Sequence, residues 1–317
     1  MSDSVVTNPA AIPATRSFRL RMVMAFFAIY FLWGTTFLAI RIAVEELPPL
    51  FAAGARFFTA GIVLYVFMRL KGLAGPTSLQ WRNLALTALV MFVAEYGPLF
   101  WAEKYVPSGI VSVLAATIPI LTLILEILIL RQKHFHTTTI VSALLGFAGV
   151  GILMLRGDGH TFALFPCFAV LAGSACWALG SIFNRSLDMP KSRPLTAGAT
   201  MMLGGIMLLA LSASIGELHP FPHISLRAVG AVLYLIVFGS LLAFTAYVWL
   251  LGQMSASRVS SYAYVNPIVA VAIGYFFAAE PITLRTAAGT ALVLISVFLI
   301  LRPAKQSQKA GEPSQPS

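Results

Sequence analysis

Charge is scarce in this chain. Asp, Glu, Lys and Arg make up 10% of 317 residues, while 59% are hydrophobic. Soluble proteins carry about 25% charged residues, and the mean hydropathy here is +0.88. A water-soluble domain needs a polar exterior that this composition does not supply, so the bilayer must be the solvent for most of the chain. Cysteine is also rare. Cys167 and Cys176 lie nine residues apart in one apolar run, about 13 Å along a helix. That spacing excludes a disulfide between them and leaves two small packing residues. All three aspartates (Asp3, Asp158, Asp188) and all five histidines fall outside the apolar runs. This argues against a membrane-embedded hydrolase or acyl transferase. No GxxxxGK[ST] phosphate loop, HExxH zinc motif or nucleophile motif occurs, so ATP hydrolysis and zinc chemistry have no sequence support. The His134/His136 and His219/His223 pairs lack a Cys or Asp in the same loop to complete a metal site. No cofactor or metal is expected.

What is present is length in apolar runs. A helical span needs roughly 20 mostly apolar residues. Spans are predicted at 22–43, 49–69, 83–102, 107–129, 137–155, 162–185, 195–214, 228–250, 257–278 and 283–301. Runs such as Ile118–Leu130 show none of the alternation that a barrel strand requires, so the spans are helices. The net charge of +10 does not point to nucleic acid, because the basic residues, Arg56 apart, sit mainly in the tails and in or beside the short gaps between spans. With both termini cytosolic, 15 of them fall on the inner side and five on the outer (Arg41, Lys104, Arg156, Arg227, Arg285), while Arg56 lies within a span. This is a strong positive-inside bias. The polar start of the chain reads as an uncleaved cytosolic tail (1–20), and its Pro/Ser/Gln-rich end as a second (303–317).

The chain repeats itself. Trp33 precedes Arg41 as Trp177 precedes Arg185, and SGIVSVLAATIP (108–119) aligns with ASRVSSYAYVNP (256–267). The units are 22–156 and 162–302. Five spans per unit is an odd number, so the two units enter the membrane with opposite polarity, as in many secondary transporters.

WGTTFLAIRIAVEELPPLFAAGARF (33–57) and SYAYVNPIVAVAIGYFFAAEPIT (261–283) resemble stretches of the first and second EamA repeats of the drug/metabolite transporter superfamily. The pattern is similar to that of the YedA-like inner-membrane transporters. VPSGIVSVLAATIP and GSACWALGSIFNR fit the same pattern, and the resemblance spans everything between the tails. It implies an all-α polytopic membrane protein with ten transmembrane helices in two inverted five-helix EamA repeats around a central cavity. It also implies export or exchange of metabolites, amino acids or drugs without ATP. The family glutamate after the ninth span is present as Glu280, but Arg131 and Gln132 stand at the matching place after the fourth. Glu280 is therefore given no coupling role.

Charged residues inside a span are costly, which makes them functional candidates. Glu95, followed by Tyr96, Gly97 and Pro98, is the candidate for proton coupling. The alternative is that it pairs with Arg56 and fixes helix packing. Arg56 and Glu126 read as structural charges, Glu126 within reach of Arg131 or Lys133. Pro98, Pro119 and Pro267 are expected to kink their helices, the last two at repeat-related depths. Thr117, Tyr262 and Asn266 add polarity there. Together with the paired Trp33 and Trp177 and with Tyr96, they are the expected cavity lining. The alternative for the polar ones is hydrogen bonding between helices. Small residues in the fifth and tenth spans (Gly146, Gly149; Gly289, Ala291) suit close packing as scaffold or a face for a second copy. The expected partners are a small-molecule substrate, protons, lipid and a homodimer mate, with no nucleic acid. The expected location is the inner membrane.

Overall fold

The computed structural model describes residues 16–130, 137–154, 164–219, 224–280 and 282–301. The loop holding Arg131 and Lys133, most of both tails and the segment around Asp158 lie outside them. The described residues are all-helical, with no strand. The helices are α1 (Arg16–Glu46), α2 (Pro49–Leu70), α3 (Ser78–Ala102) and α4 (Ser108–Ile129), followed by α5 (Thr137–Met154) and α6 (Leu164–Ser186). Then come α7 (Arg193–Ser214), α8 (Leu226–Leu251), α9 (256–278) and α10 (Leu284–Leu301). Among the described residues, eight helices are long and apolar enough to cross a membrane; α10 holds a shorter apolar stretch, Leu284–Ser296. The first helix begins at Arg16, several residues inside the expected tail. Its basic first turns continue the helix beyond the apolar run.

The helices pack across the two halves of the chain. The most extensive contact joins α2 to α7, followed by α5 with α10; α1 meets α8 and α9, α3 meets α6, and α4 meets α6 and α9. The α2–α7 seam depends on missing side chains. A Cβ on Gly61 would overlap the backbone nitrogen of Met202, so glycine lets the two backbones touch. Between α5 and α10, Ser296 donates to the Ser142 carbonyl and Gly149 sits against the Gly289 carbonyl. The small-residue stripes of these helices therefore face each other within one chain.

Several helices depart from regular winding. Wide π-helical segments occupy Ala28–Leu32 in α1, Leu89–Tyr96 in α3 and Leu235–Phe244 in α8. Those in α3 and α8 fall on the third helix of each repeat. Each inserted residue leaves backbone carbonyls without a helical partner. Pro98 stands just past the π segment of α3, at the start of Gly97–Ala102. Pro119 stands just past the turn at 116–117 that breaks α4. Pro267 opens Asn266–Ala278 after a 3-10 segment, Ser260–Tyr264. All three prolines thus restart a helix after an interruption.

Three helices have their first turn completed from elsewhere in the chain. The N-caps of α2 and α4 are Pro48 and Pro107, whose side chains accept nothing. Glu217 accepts from the amides of Leu50 (3.1 Å) and Phe51 (3.0 Å). Glu280 accepts from the amides of Ser108 (2.9 Å) and Gly109 (3.1 Å) and from the Ser108 hydroxyl (2.7 Å). Glu46 accepts from the Ser225 amide and hydroxyl, both at 2.7 Å, at the start of α8. A carboxylate at a helix N-terminus satisfies free N–H groups and complements the helix dipole. All three caps join the two halves of the chain at one end of the bundle. At the other end Asn83 donates to the Asp188 carbonyl (3.0 Å).

Replacing Gly61 by leucine drives a side chain into the α7 backbone. A loss of about 1–3 kcal/mol or more is expected from such overpacking, read as a lower thermal midpoint of the detergent-solubilised protein. An unchanged midpoint would show that α2 and α7 separate freely. Glu217→Ala removes the acceptor for two amides and should cost about 1 kcal/mol, by the same measurement.

Candidate functional site

The core of the site is a stack of aromatic rings from both halves of the chain. Trp33 from α1 meets Trp177 from α6 edge-on, with centroids 5.6 Å apart. Tyr262 from α9 lies 5.0 Å from Trp33, also edge-on. Tyr96 from α3 lies 5.7 Å from Trp177. Tyr247 from α8 touches both tryptophans, at 5.0 and 5.2 Å, and pairs its hydroxyl with Ser181 at 2.6 Å. Edge-to-face packing of this kind is favourable beyond area burial alone.

These rings wall a small cavity. Its lining includes Trp33, Tyr96, Trp177, Tyr262, Asn266 and the carboxylate residue Glu95, with Thr36, Phe37, Ile40, Leu99, Ala115 and Ile118 completing the wall. The space is about 40 Å³, room for a few waters at ~10–15 Å³ each. Of the residues expected in the lining, Thr117 is not in this wall. It is buried at the break in α4 and donates to the Leu114 carbonyl at 2.8 Å.

The irregular windings hold the polar groups in place. Oriented to donate, the Asn266 amide reaches the carbonyls of Tyr30 (2.7 Å) and Ile29 (3.0 Å), both in the π segment of α1. Trp33 donates its indole N–H to the Gly239 carbonyl at 3.0 Å, in the π segment of α8. The same glycine makes room for Arg56. A Cβ there would lie 2.6 Å from Nη2 of the guanidinium. Arg56 is 1% exposed, donates from Nε to Ser240 at 2.9 Å, and stacks over Phe57 (4.5 Å) and Tyr96 (5.3 Å). It lies behind the cavity wall, fixing Tyr96 by cation–π attraction.

Glu95 is buried with one carboxylate oxygen, Oε2, making no hydrogen bond among the described residues. No ion pair within 4.0 Å joins it to Arg56 there. A buried carboxylate facing a cavity can take up a cationic group or a proton, whereas one fixed in an ion pair cannot do so cheaply. Glu126 is buried on α4, away from the lining residues, and the basic residues expected near it lie outside the described segments. Tyr247, which sequence reasoning did not single out, is fully buried and backs the two tryptophans rather than lining the cavity.

The EamA-like transporter family model matches residues 20–155 and again 164–302. This chain belongs to the EamA-like transporter family. The EamA relatives include a protein of Escherichia coli (strain K12) named "Uncharacterized inner membrane transporter YedA". It is 36% identical over 281 residues, covering 87% of this chain and 89% of that one. An "Uncharacterized transporter" of Archaeoglobus fulgidus is 28% identical, with 85% and 95% covered. The Bacillus subtilis "Uncharacterized transporter YvbV" is 26% identical, with 95% and 96% covered. A solved crystal structure, 19% identical, superposes with a TM-score of 0.64 over 89% of this chain and 97% of that one, which shows a shared fold.

Gly239→Ala places a methyl group against the Arg56 guanidinium. The buried charge must then move off its ring and hydroxyl partners. A drop in thermal midpoint larger than that of Ala→Gly controls on lipid-facing helix surfaces is expected, together with a change in tryptophan emission as the Trp33 hydrogen bond shifts.

Proposed function

We propose that this EamA protein is a secondary transporter that exports or exchanges small organic solutes across the cytoplasmic membrane by alternating access. The observation that carries this reading is the convergence of Trp33, Tyr96, Trp177, Tyr262 and Asn266 from both repeats on one cavity beside Glu95. Ten membrane-crossing helices in two inverted five-helix repeats are part of the proposal. It is supported by the double family match and by the pairing of second with second, fourth with fourth and fifth with fifth helices. With both termini in the cytosol, the end bearing Glu46, Glu217 and Glu280 faces outward.

Aromatic walls with one carboxylate and one amide suit amino acids, amphipathic drugs and similar amphipathic or cationic metabolites. The cavity is too small for any of them as it stands. A substrate has to part the rings, so binding and opening of the bundle are one event. Glu95, facing that space without an ion pair, is the proposed site where a proton exchanges with substrate. Thr117 contributes through the broken winding of α4 rather than by direct contact. An uncoupled facilitator of the same fold is distinguished by energy coupling alone.

Purified protein in proteoliposomes should show counterflow of at least one compound in a panel of amino acids, purines and organic cations. An imposed pH gradient should drive accumulation above equilibrium. Trp33→Ala or Trp177→Ala should reduce counterflow about tenfold or more, the equivalent of roughly 1.4 kcal/mol of lost contact. Glu95→Gln should keep counterflow and lose accumulation. Full gradient-driven accumulation in Glu95→Gln would remove Glu95 from the coupling step, and silence of the wild type across the panel would sink the exporter reading.

A further inference from the structure

The third span is followed by a carboxylate that composition and span boundaries assign to a loop. Glu103 stands one residue past α3 and is 0% exposed. Neither carboxylate oxygen makes a hydrogen bond among the described residues. Arg41 from α1 comes close but bonds elsewhere. Its guanidinium donates to the backbone carbonyl of Glu103 and, at 3.5 Å, to that of Val106, and no ion pair within 4.0 Å forms with the Glu103 carboxylate. The other charged group acting on Glu103 is Glu280, from the loop after α9. Glu280 is held by the α4 N-terminus and cannot turn away without giving up three hydrogen bonds. Ser108 and Gly109 of α4 direct their donors to Glu280, and Lys104, the neighbour of Glu103 in the chain, is exposed.

A second ionised carboxylate with no donor, sealed from water beside the first, is electrostatically untenable. The geometry points to Glu103 as a proton-binding site that governs the Glu280 latch at this end of the bundle. With its proton in place, Glu103 is neutral, and Glu280 can stay seated across α4 and α9. When the proton leaves, the charge must reach water. The way to hydrate it is to lift the loop after α9 from the start of α4. The direction of titration agrees. Burial first, and then the Glu280 carboxylate, push the Glu103 carboxyl well above the usual carboxylate range, against a smaller opposing pull from Arg41. The sign follows. Stability of the latched form is full at low pH and falls as pH rises from the ordinary glutamate value, about 4.3, through the raised value of Glu103, because the native state then holds a proton that the unfolded chain has released.

The role of this latch in transport rests on the transporter reading above, but its test needs no substrate. In a chain carrying Cys167→Ser and Cys176→Ser, Ala115→Cys places a thiol in the cavity wall one helical stretch below Ser108. Maleimide labelling in nanodiscs is followed between about pH 5.5 and pH 8.5, on both sides of where a buried carboxyl titrates. Each rate is divided by that of the same chain unfolded in SDS, which removes the reactivity of the thiol itself. The normalised rate should rise with pH by up to about tenfold per unit, the limit for release of one proton. Glu103→Gln should label slowly with no slope, Glu103→Asp should restore a slope, and Glu280→Gln should label fast throughout. A Glu103→Gln profile that follows the parent's slope overturns the proposal. Should that variant fail to fold, a chain carrying Glu95→Gln, which removes the other buried unpaired carboxyl of the core, decides: its thermal midpoint must still fall between about pH 5 and pH 8, and a flat or rising midpoint overturns the proposal. Absence of transport in the protein without Ala115→Cys, with the slope intact, counts against the transporter reading only, and loss of the slope with that transport intact counts against the proton site only.

Discussion

A helix that starts inside a bilayer or at its edge has backbone N–H groups that water cannot reach, and they need acceptors. This constraint organises the bundle. Where α2 and α4 begin, the local sequence offers proline, which fixes the backbone but accepts nothing through its side chain. The acceptors come from Glu217 and Glu280, far away in the chain, while Glu46 serves the start of α8. A cap supplied locally would stabilise one helix. A cap supplied from the other half ties the halves together, and does so at one end only. The bundle therefore has one polar, latched end and a cavity beneath it.

The same logic operates at the cavity. Wide helical turns leave carbonyls without partners, and in a soluble protein water would take them. Here Asn266 and Trp33 do so. The residues closest to the cavity are thus also the residues that make its irregular walls tenable. Arg56 extends the arrangement one layer outward, where Gly239 leaves it space and Ser240 and two rings hold it. Its charge sits near Glu95 without pairing to it, and the carboxylate remains open toward the cavity.

Much of this was legible in the sequence. The apolar runs marked the helices because their length and lack of alternation admit no other bilayer-compatible structure. The tryptophan and proline spacings marked the two halves. Trp33, Tyr96, Trp177, Tyr262 and Asn266 stood out as polar or aromatic groups inside apolar spans, and the structure brings all five to one cavity with Glu95. Other features were hidden for physical reasons. π-helical segments have no residue signature, since they depend on what the freed carbonyls meet across the bundle. Thr117 stands near Pro119 as Asn266 stands beside Pro267, but its short side chain bonds its own helix instead. Glu103 was passed over because it falls one residue outside the apolar run, and burial at a helix end is decided by neighbouring helices rather than by hydropathy. Glu46 and Glu217 likewise went unmarked, and Glu280 stood out only through the family resemblance, until their partners were known.

The tryptophan pair at the cavity has an optical consequence. Of five tryptophans in the chain, Trp33 and Trp177 pack against one another and against three tyrosines around the cavity where substrate binding is proposed. Their emission depends on that contact, so the protein carries its own spectroscopic gauge of occupancy. A ligand can be sought by ultraviolet fluorescence on the unlabelled protein, before any transport assay is built for it.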